Sequence, residues 1–139
     1  MSDEIEAEPP PLTELELQIM NVIWKQREEI SVEEIQQALN ADGRPLALPS
    51  IRTILKILQK KDYLERRSEG RKHLYSPVIS ETRGKHGILN HLVERAFDGS
   101  SFDLVASLLR SDMVKKGDID RVKSLLEDLD DEGDSPKSS

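Results

Sequence analysis

Between Leu12 and Gln26 the chain reads LTELELQIMNVIWKQ, and its apolar residues Leu15, Ile19, Val22 and Ile23 recur at the spacing of one α-helical face. Thr13, with Glu16 three positions later, forms the sequence pattern of a capping box at the start of this helix. ISVEEIQQALN repeats the arrangement: Ser31 caps, Glu34 completes the box, Ile35, Ala38 and Leu39 make the apolar stripe, and NADGRP stops it. A third helix is predicted from Ala47 to Asp62, with Ile51, Ile54, Leu55 and Leu58 on its apolar face and Pro49 tolerated in its first turn. Its other face carries Arg52, Thr53, Lys56, Gln59 and Lys60.

The period then changes. YLERR and KHLYSPVI are short segments rich in Tyr, Leu, Val and Ile, joined by SEG, where Gly70 can take the positive φ of a tight turn, so a β-hairpin is predicted. Helical pattern resumes from Ser80 to Phe97, breaks at DGS, runs from Ser101 to Arg110 and ends in DIDRVKSLLEDL. The opening MSDEIEAEPPP and the tail DDEGDSPKSS are acidic and rich in residues that resist ordered packing, so both read as disordered. The expected organisation is a disordered lead-in over 1–11, a folded domain over 12–79, a helical region over 80–130 and a disordered tail over 131–139. The fold class is mostly α with a small β-hairpin. Three short helices followed by a hairpin is the order of a winged helix-turn-helix, with the third helix, about 48–62, as recognition helix and the hairpin, about 63–78, as wing.

Composition agrees with a helical protein: of 139 residues, 36% are hydrophobic and 34% charged, and aromatic residues are few. The absence of cysteine rules out disulfides and thiolate metal sites and is compatible with a reducing cytoplasm. No apolar leader and no apolar run of about 18 residues is present, so a soluble, cytoplasmic protein is expected.

Charge changes the picture more. The formal net charge is −7, yet residues 48–77 gather eight Lys and Arg. Residues 48–87 carry a net +6 between acidic flanks, so the global value hides a basic module that falls on the predicted recognition helix and wing. Closely spaced phosphates attract such a surface, because neutralising them releases counterions. Ser50 and Thr53 sit near the start of the third helix, where side chains approach phosphates and base edges, a placement that also fits ordinary capping. Exposed helical lysines are common on soluble proteins, and a winged helix can also serve as a protein–protein interaction module without specific DNA binding. That alternative stands beside the DNA-binding one.

In these residues the sequence resembles the penicillinase-repressor family of bacterial transcriptional regulators, the BlaI/MecI type with copper-responsive relatives. LTELELQIMNVIW resembles the family's opening helix, SVEEIQQAL its second, SIRTILKILQKKDYLERRSEGRKHLYSPVIS its recognition helix and wing, and FDGSSFDLVASLL its hinge into dimerising helices. The resemblance implies a homodimeric repressor that binds a palindromic operator in double-stranded DNA. It implies DNA contacts from Ser50, Arg52, Thr53 and Lys56 on the recognition helix and from Arg71 and Lys72 on the wing, to which the charge pattern itself adds Lys60 and Arg67 as expected DNA-binding residues. It also implies a dimer core that includes Ile88, Leu89, Leu92, Val93, Phe97, Leu104, Val105, Leu108 and Leu109. A membrane sensor protease is a further partner known in the family, cutting an Asn-Phe bond; the matching positions here are Ser107 and Leu108, so release by that cut is not expected to transfer directly. The copper-sensing mechanism needs a cysteine cluster, and this chain has none.

Nothing converges on catalysis. His73 falls in the wing, and His86 and His91 are five apart, off the i, i+4 spacing that sets two ligands on one helical face. No enzyme activity, metal or cofactor is expected. The carboxylates at 127–132 read as a solvated terminus.

Overall fold

The computed structural model describes residues 8–133. Their elements are α1 (Glu14–Lys25), β1 (Ile30–Ser31), α2 (Val32–Ala41), α3 (Leu48–Lys60), β2 (Leu64–Glu69), β3 (Lys72–Pro77), α4 (Glu81–Ala96), α5 (Ser101–Leu109) and α6 (Lys116–Gly133). The fold is mostly helical with one small antiparallel sheet, the class that the periodicity predicts. The described residues fall into two compact units, divided between Leu92 and Val93. The division falls later than the expected 79/80 boundary because the first turns of α4 pack against the winged-helix core.

Both predicted capping boxes form. In α1 the Glu16 N–H donates to Thr13 Oγ1 at 3.2 Å while the Thr13 N–H donates to Glu16 Oε1 at 2.9 Å. Ser31 and Glu34 repeat this at the start of α2. Three of the four apolar positions expected to be buried in α1 are so, and Leu15 is the exception. Glu16, Ile19, Met20 and Ile23 form the buried stripe together with Val22, whereas Leu15 is exposed. Packed around it are Ile35 and Leu39 from α2, Ile51, Leu55 and Leu58 from α3, and Tyr63, all essentially inaccessible to solvent. Removing each such aliphatic side chain from water contributes about 1.5–3 kcal/mol.

The third helix ends at Lys60, two residues before the predicted limit, and the cause is local. Asp62 adopts φ 63°, the left-handed conformation, so the Asp62 N–H turns back to the Gln59 carbonyl and the Tyr63 N–H to that of Leu58. This pair of bonds satisfies carbonyls that the helix end would leave open. Gly70, at φ 65°, makes the tight turn between β2 and β3 as expected.

The sheet has three strands, not the two of a simple hairpin, in the order β1-β3-β2. β1 pairs Ile30 with Tyr75 and Ser31 with Leu74, and β2 pairs Arg66 with Tyr75, Arg67 with Leu74 and Ser68 with His73. The wing is thereby fastened on both sides of β3. Its base is held by Trp24, whose Nε1–H donates to the Ile79 carbonyl at 2.9 Å, and by the Val78 and Ile79 N–H groups, which donate to the Tyr63 carbonyl.

The expected disorder of the lead-in is corrected over its last residues. Pro9 is buried beside Gly87 of α4, the Pro10 carbonyl accepts the Tyr63 hydroxyl, and the Pro11 carbonyl accepts Lys61 Nζ at 3.0 Å. Proline lacks an N–H but keeps its carbonyl, so this segment offers acceptors to donors on the core. Residues 1–7 lie outside the described part. At the other end α6 continues to Gly133, three residues into the expected tail, and 134–139 lie outside the described part.

In the second unit, Asp98 and Gly99 both take positive φ and break the helical path, and Ser100 caps α5 by accepting the Asp103 N–H at 3.1 Å. The last helix starts at Lys116, two residues earlier than DIDRVKSLLEDL suggests. No residue of α5 is buried. Phe102, Val105, Leu108, Met113, Leu125, Leu126 and Leu129 are exposed.

Candidate nucleic-acid interface

The amphipathic pattern of α3 fixes what it presents. Ile51, Ile54, Leu55 and Leu58 are buried, which leaves Ser50, Arg52, Thr53, Lys56 and Lys60 exposed along the outer face. The helix has no side-chain cap at Ala47, and Pro49 in its first turn removes one N–H that would otherwise need a partner. Thr53 donates its hydroxyl proton to the Pro49 carbonyl at 3.0 Å, so towards a ligand its oxygen is left to accept rather than to donate.

Arg52 faces the wing across an open depression of about 500 Å³ lined by Val32, Glu33, Arg52, Arg71, Lys72 and His73. The structure therefore brings three of the sequence-predicted residues, Arg52, Arg71 and Lys72, around one concavity. Ser50, Thr53, Lys56 and Lys60 do not line it and remain on the exposed face of α3. His73, which the sequence placed only in the wing, joins the concavity by pairing with Ser68 near the turn.

Arg67 is placed differently. Its Nε donates to both carboxylate oxygens of Glu29, at 2.9 and 3.1 Å, and its Nη2 donates to Oε1, a fork-on-fork ion pair across β3. That bond is the main reason the Glu29 carboxyl lies below its usual range and the Arg67 guanidinium above its own. Glu34 is also held low, first by the Ser31 N–H and hydroxyl of the capping box, with the Lys72 charge adding to them.

Lys61 is likewise committed, to Glu16 at 2.7 Å. Burial alone would raise the Glu16 carboxyl, but hydrogen bonds from Lys61 and Thr13 outweigh it and hold the group below its usual value. Of the eight basic residues in the segment, two thus serve the scaffold. Sequence could not show this, since the partners are 45 and 38 residues away.

A second depression, about 520 Å³, lies between α1 and α2 among Gln18, Asn21, Lys25, Gln26, Asp42 and Arg44 and contains none of the expected contact residues. Among the described residues no cluster of three metal-ligating side chains occurs, and no helix is long and apolar enough to cross a membrane.

Comparison with known proteins gives the same direction as the geometry. Residues 12–128 match the family model described as penicillinase repressor. The chain is 28% identical over 119 residues to the penicillinase repressor of Bacillus licheniformis, a match spanning 86% of this chain and 91% of the relative. It is 30% identical over 90 residues to the transcriptional regulator BlaI of Mycobacterium tuberculosis, covering 65% of this chain and 64% of that one. Among solved structures, the DNA-binding domain of the repressor BlaI aligns at 33% identity over 55% of this chain and 90% of that domain, with a TM-score of 0.47. The complex structure of hsRosR-SG aligns over 88% of this chain and 95% of its own at 16% identity and a TM-score of 0.51, a likeness of fold. With a family model matching from the first helix into the last, this chain belongs to the penicillinase repressor family, whose members are repressors rather than enzymes.

Proposed function

We propose that the chain is a homodimeric transcriptional repressor that binds a palindromic operator, with α3 entering the major groove and the β2–β3 wing contacting the backbone beside it. The observation that carries this reading is the convergence of Arg52 from α3 with Arg71 and Lys72 from the wing around one open concavity. A phosphate contact needs a cation or N–H donor within reach of the backbone, and a base contact needs a side chain on the outer face of the helix. Ser50, Arg52, Thr53, Lys56 and Lys60 supply the second, and Arg71 and Lys72 the first.

Two copies are proposed because the second unit leaves apolar side chains in solvent. Val105 and Leu108 of α5 are exposed, and Leu104 and Leu109 are half-buried. On α6 Ile119, Val122, Leu126 and Leu129 fall at i, i+3, i+7 and i+10, with both leucines exposed. Ile88, Leu89, Leu92, Val93 and Phe97 extend the apolar series along α4 and just past it, none of them fully buried in one chain. A sensor protease, the further partner that the family resemblance suggests, would have to reach Ser107 and Leu108 of α5, and Leu108 is covered once two copies associate through this face.

Fluorescence anisotropy against the promoter next to its own gene, and against random duplex, at several salt concentrations tests the reading. Affinity that falls steeply with salt and favours the promoter is expected. A flat salt response, or equal binding to both duplexes, would overturn it in favour of a protein-interaction module. A dimer predicts protected half-sites about 34 Å apart, one turn of the duplex, or a multiple of it.

A further inference from the structure

The wing carries two adjacent arginines, and strand register places them on opposite faces of the sheet. Arg66 pairs with Tyr75, which pairs on its other side with Ile30, so these three share a face with Leu64 and His73. Ile30, Leu64 and Tyr75 belong to the hydrophobic core cluster, whereas Leu74 on the reverse face is buried outside it, which identifies this as the face turned towards the helices. Further along the wing, beyond the reach of the core, the same face continues as exposed Arg66, Ser68 and His73, and His73 borders the concavity that contains Arg52. Arg67 shares the reverse face with Leu74 and Ser31 and is gripped there by Glu29. No carboxylate among the described residues is paired with Arg66.

We propose that Arg66, and not Arg67, is the strand arginine of the wing that contacts the DNA backbone, while Glu29 withholds Arg67 as a strut between the segment before β1 and the wing. The inference rests on the DNA-binding reading and sharpens it. An arginine engaged by a carboxylate through three donor–acceptor contacts is already neutralised, so its approach to phosphate would release no counterion unless Glu29 let go. Arg66 has no such competitor and keeps its full charge for a phosphate. The pair therefore divides one task that adjacent arginines would appear to share: one binds the duplex and one stiffens the part that reaches it.

The test compares R66A, R66K, R67A and E29Q in the full chain, with promoter and random duplexes titrated over a salt series and folding checked by thermal melts. R66A is expected to weaken both duplexes alike and to lower the slope of log affinity against log salt by about one unit per protomer, with R66K retaining the slope. R67A and E29Q are expected to keep the wild-type slope and to melt at a lower temperature. A loss of slope in R67A comparable to that expected of R66A, or an unchanged slope in R66A while the wild type remains steeply salt-dependent, overturns the assignment alone. Wild-type protein with no salt-dependent binding overturns the DNA-binding reading, and this assignment with it.

Discussion

Gly84 on α4 lies against the indole of Trp24 so closely that a Cβ at this position would stand 2.7 Å from two ring carbons. The ring is held by its Nε1–H bond to the Ile79 carbonyl and has little freedom to retreat. Gly84→Ala is therefore expected to cost about 1–3 kcal/mol in urea unfolding, as overpacking does in a filled core. Gly117, with open space around it at the start of α6, gives the contrast: Gly117→Ala should be neutral or stabilising by about 0.5 kcal/mol.

The Lys61–Glu16 pair predicts a pH dependence. Glu16 sits below its usual value of 4.5 in the folded chain, so its contribution to stability is present above that value and is lost as the pH falls through the lower folded one. Lys61→Met leaves a buried carboxylate with only the Thr13 donors and is expected to cost about 1–3 kcal/mol at pH 7. The same variant should lose less stability than wild type between pH 5 and 3, because burial then works against the charged form instead of being outweighed. Urea midpoints across this range measure both effects.

What could be read in the sequence divides by distance along the chain. The two capping boxes, the four buried positions of α3 and the turn at Gly70 depend on residues within about one turn of each other, and all are present as read. In the stripe of α1 only the exchange of Leu15 for Glu16 is hidden from the sequence, because Glu16 looks like a surface residue until Lys61 is known to reach it. β1 was missed because two residues show no alternation, and only pairing with β3 defines them as a strand. The proline segment was read by composition, and what orders it are donors more than 50 residues away. At the proposed interface, charge density points to the surface, but that Arg67 is engaged by Glu29 depends on a residue 38 positions away. The apolar stripe on α6 was present in DIDRVKSLLEDL at helical spacing and could have been counted with the dimer residues.

Substitutions at the proposed interface should separate by chemistry. Arg71→Ala with Lys72→Ala is expected to weaken promoter and random DNA equally and to reduce the salt slope by about two units per protomer. Arg52→Ala, if the residue reaches a base edge, should instead relax preference at one base pair of each half-site, worth about 1–3 kcal/mol of discrimination. Binding assays on a set of point-substituted duplexes distinguish the two patterns.

Leu126→Glu with Leu129→Glu places two charges on the exposed stripe of α6. Sedimentation equilibrium should then show a monomer. Affinity for a two-half-site duplex should fall about 100-fold, because the second half-site is no longer bound at high effective concentration, while affinity for a single half-site should be preserved.

The proline segment also bears on where the domain can be cut. The family match begins at Leu12, an inviting place to trim the chain, yet trimming there removes both carbonyls that receive Tyr63 and Lys61 and the ring that covers Gly87. The Tyr63 hydroxyl, at the end of a fully buried side chain, would lose its acceptor, and Lys61 would keep only Glu16. A version of this domain that keeps these bonds thus starts at or before Pro9, and one trimmed to Leu12 leaves a buried phenol without the acceptor it has in the longer chain.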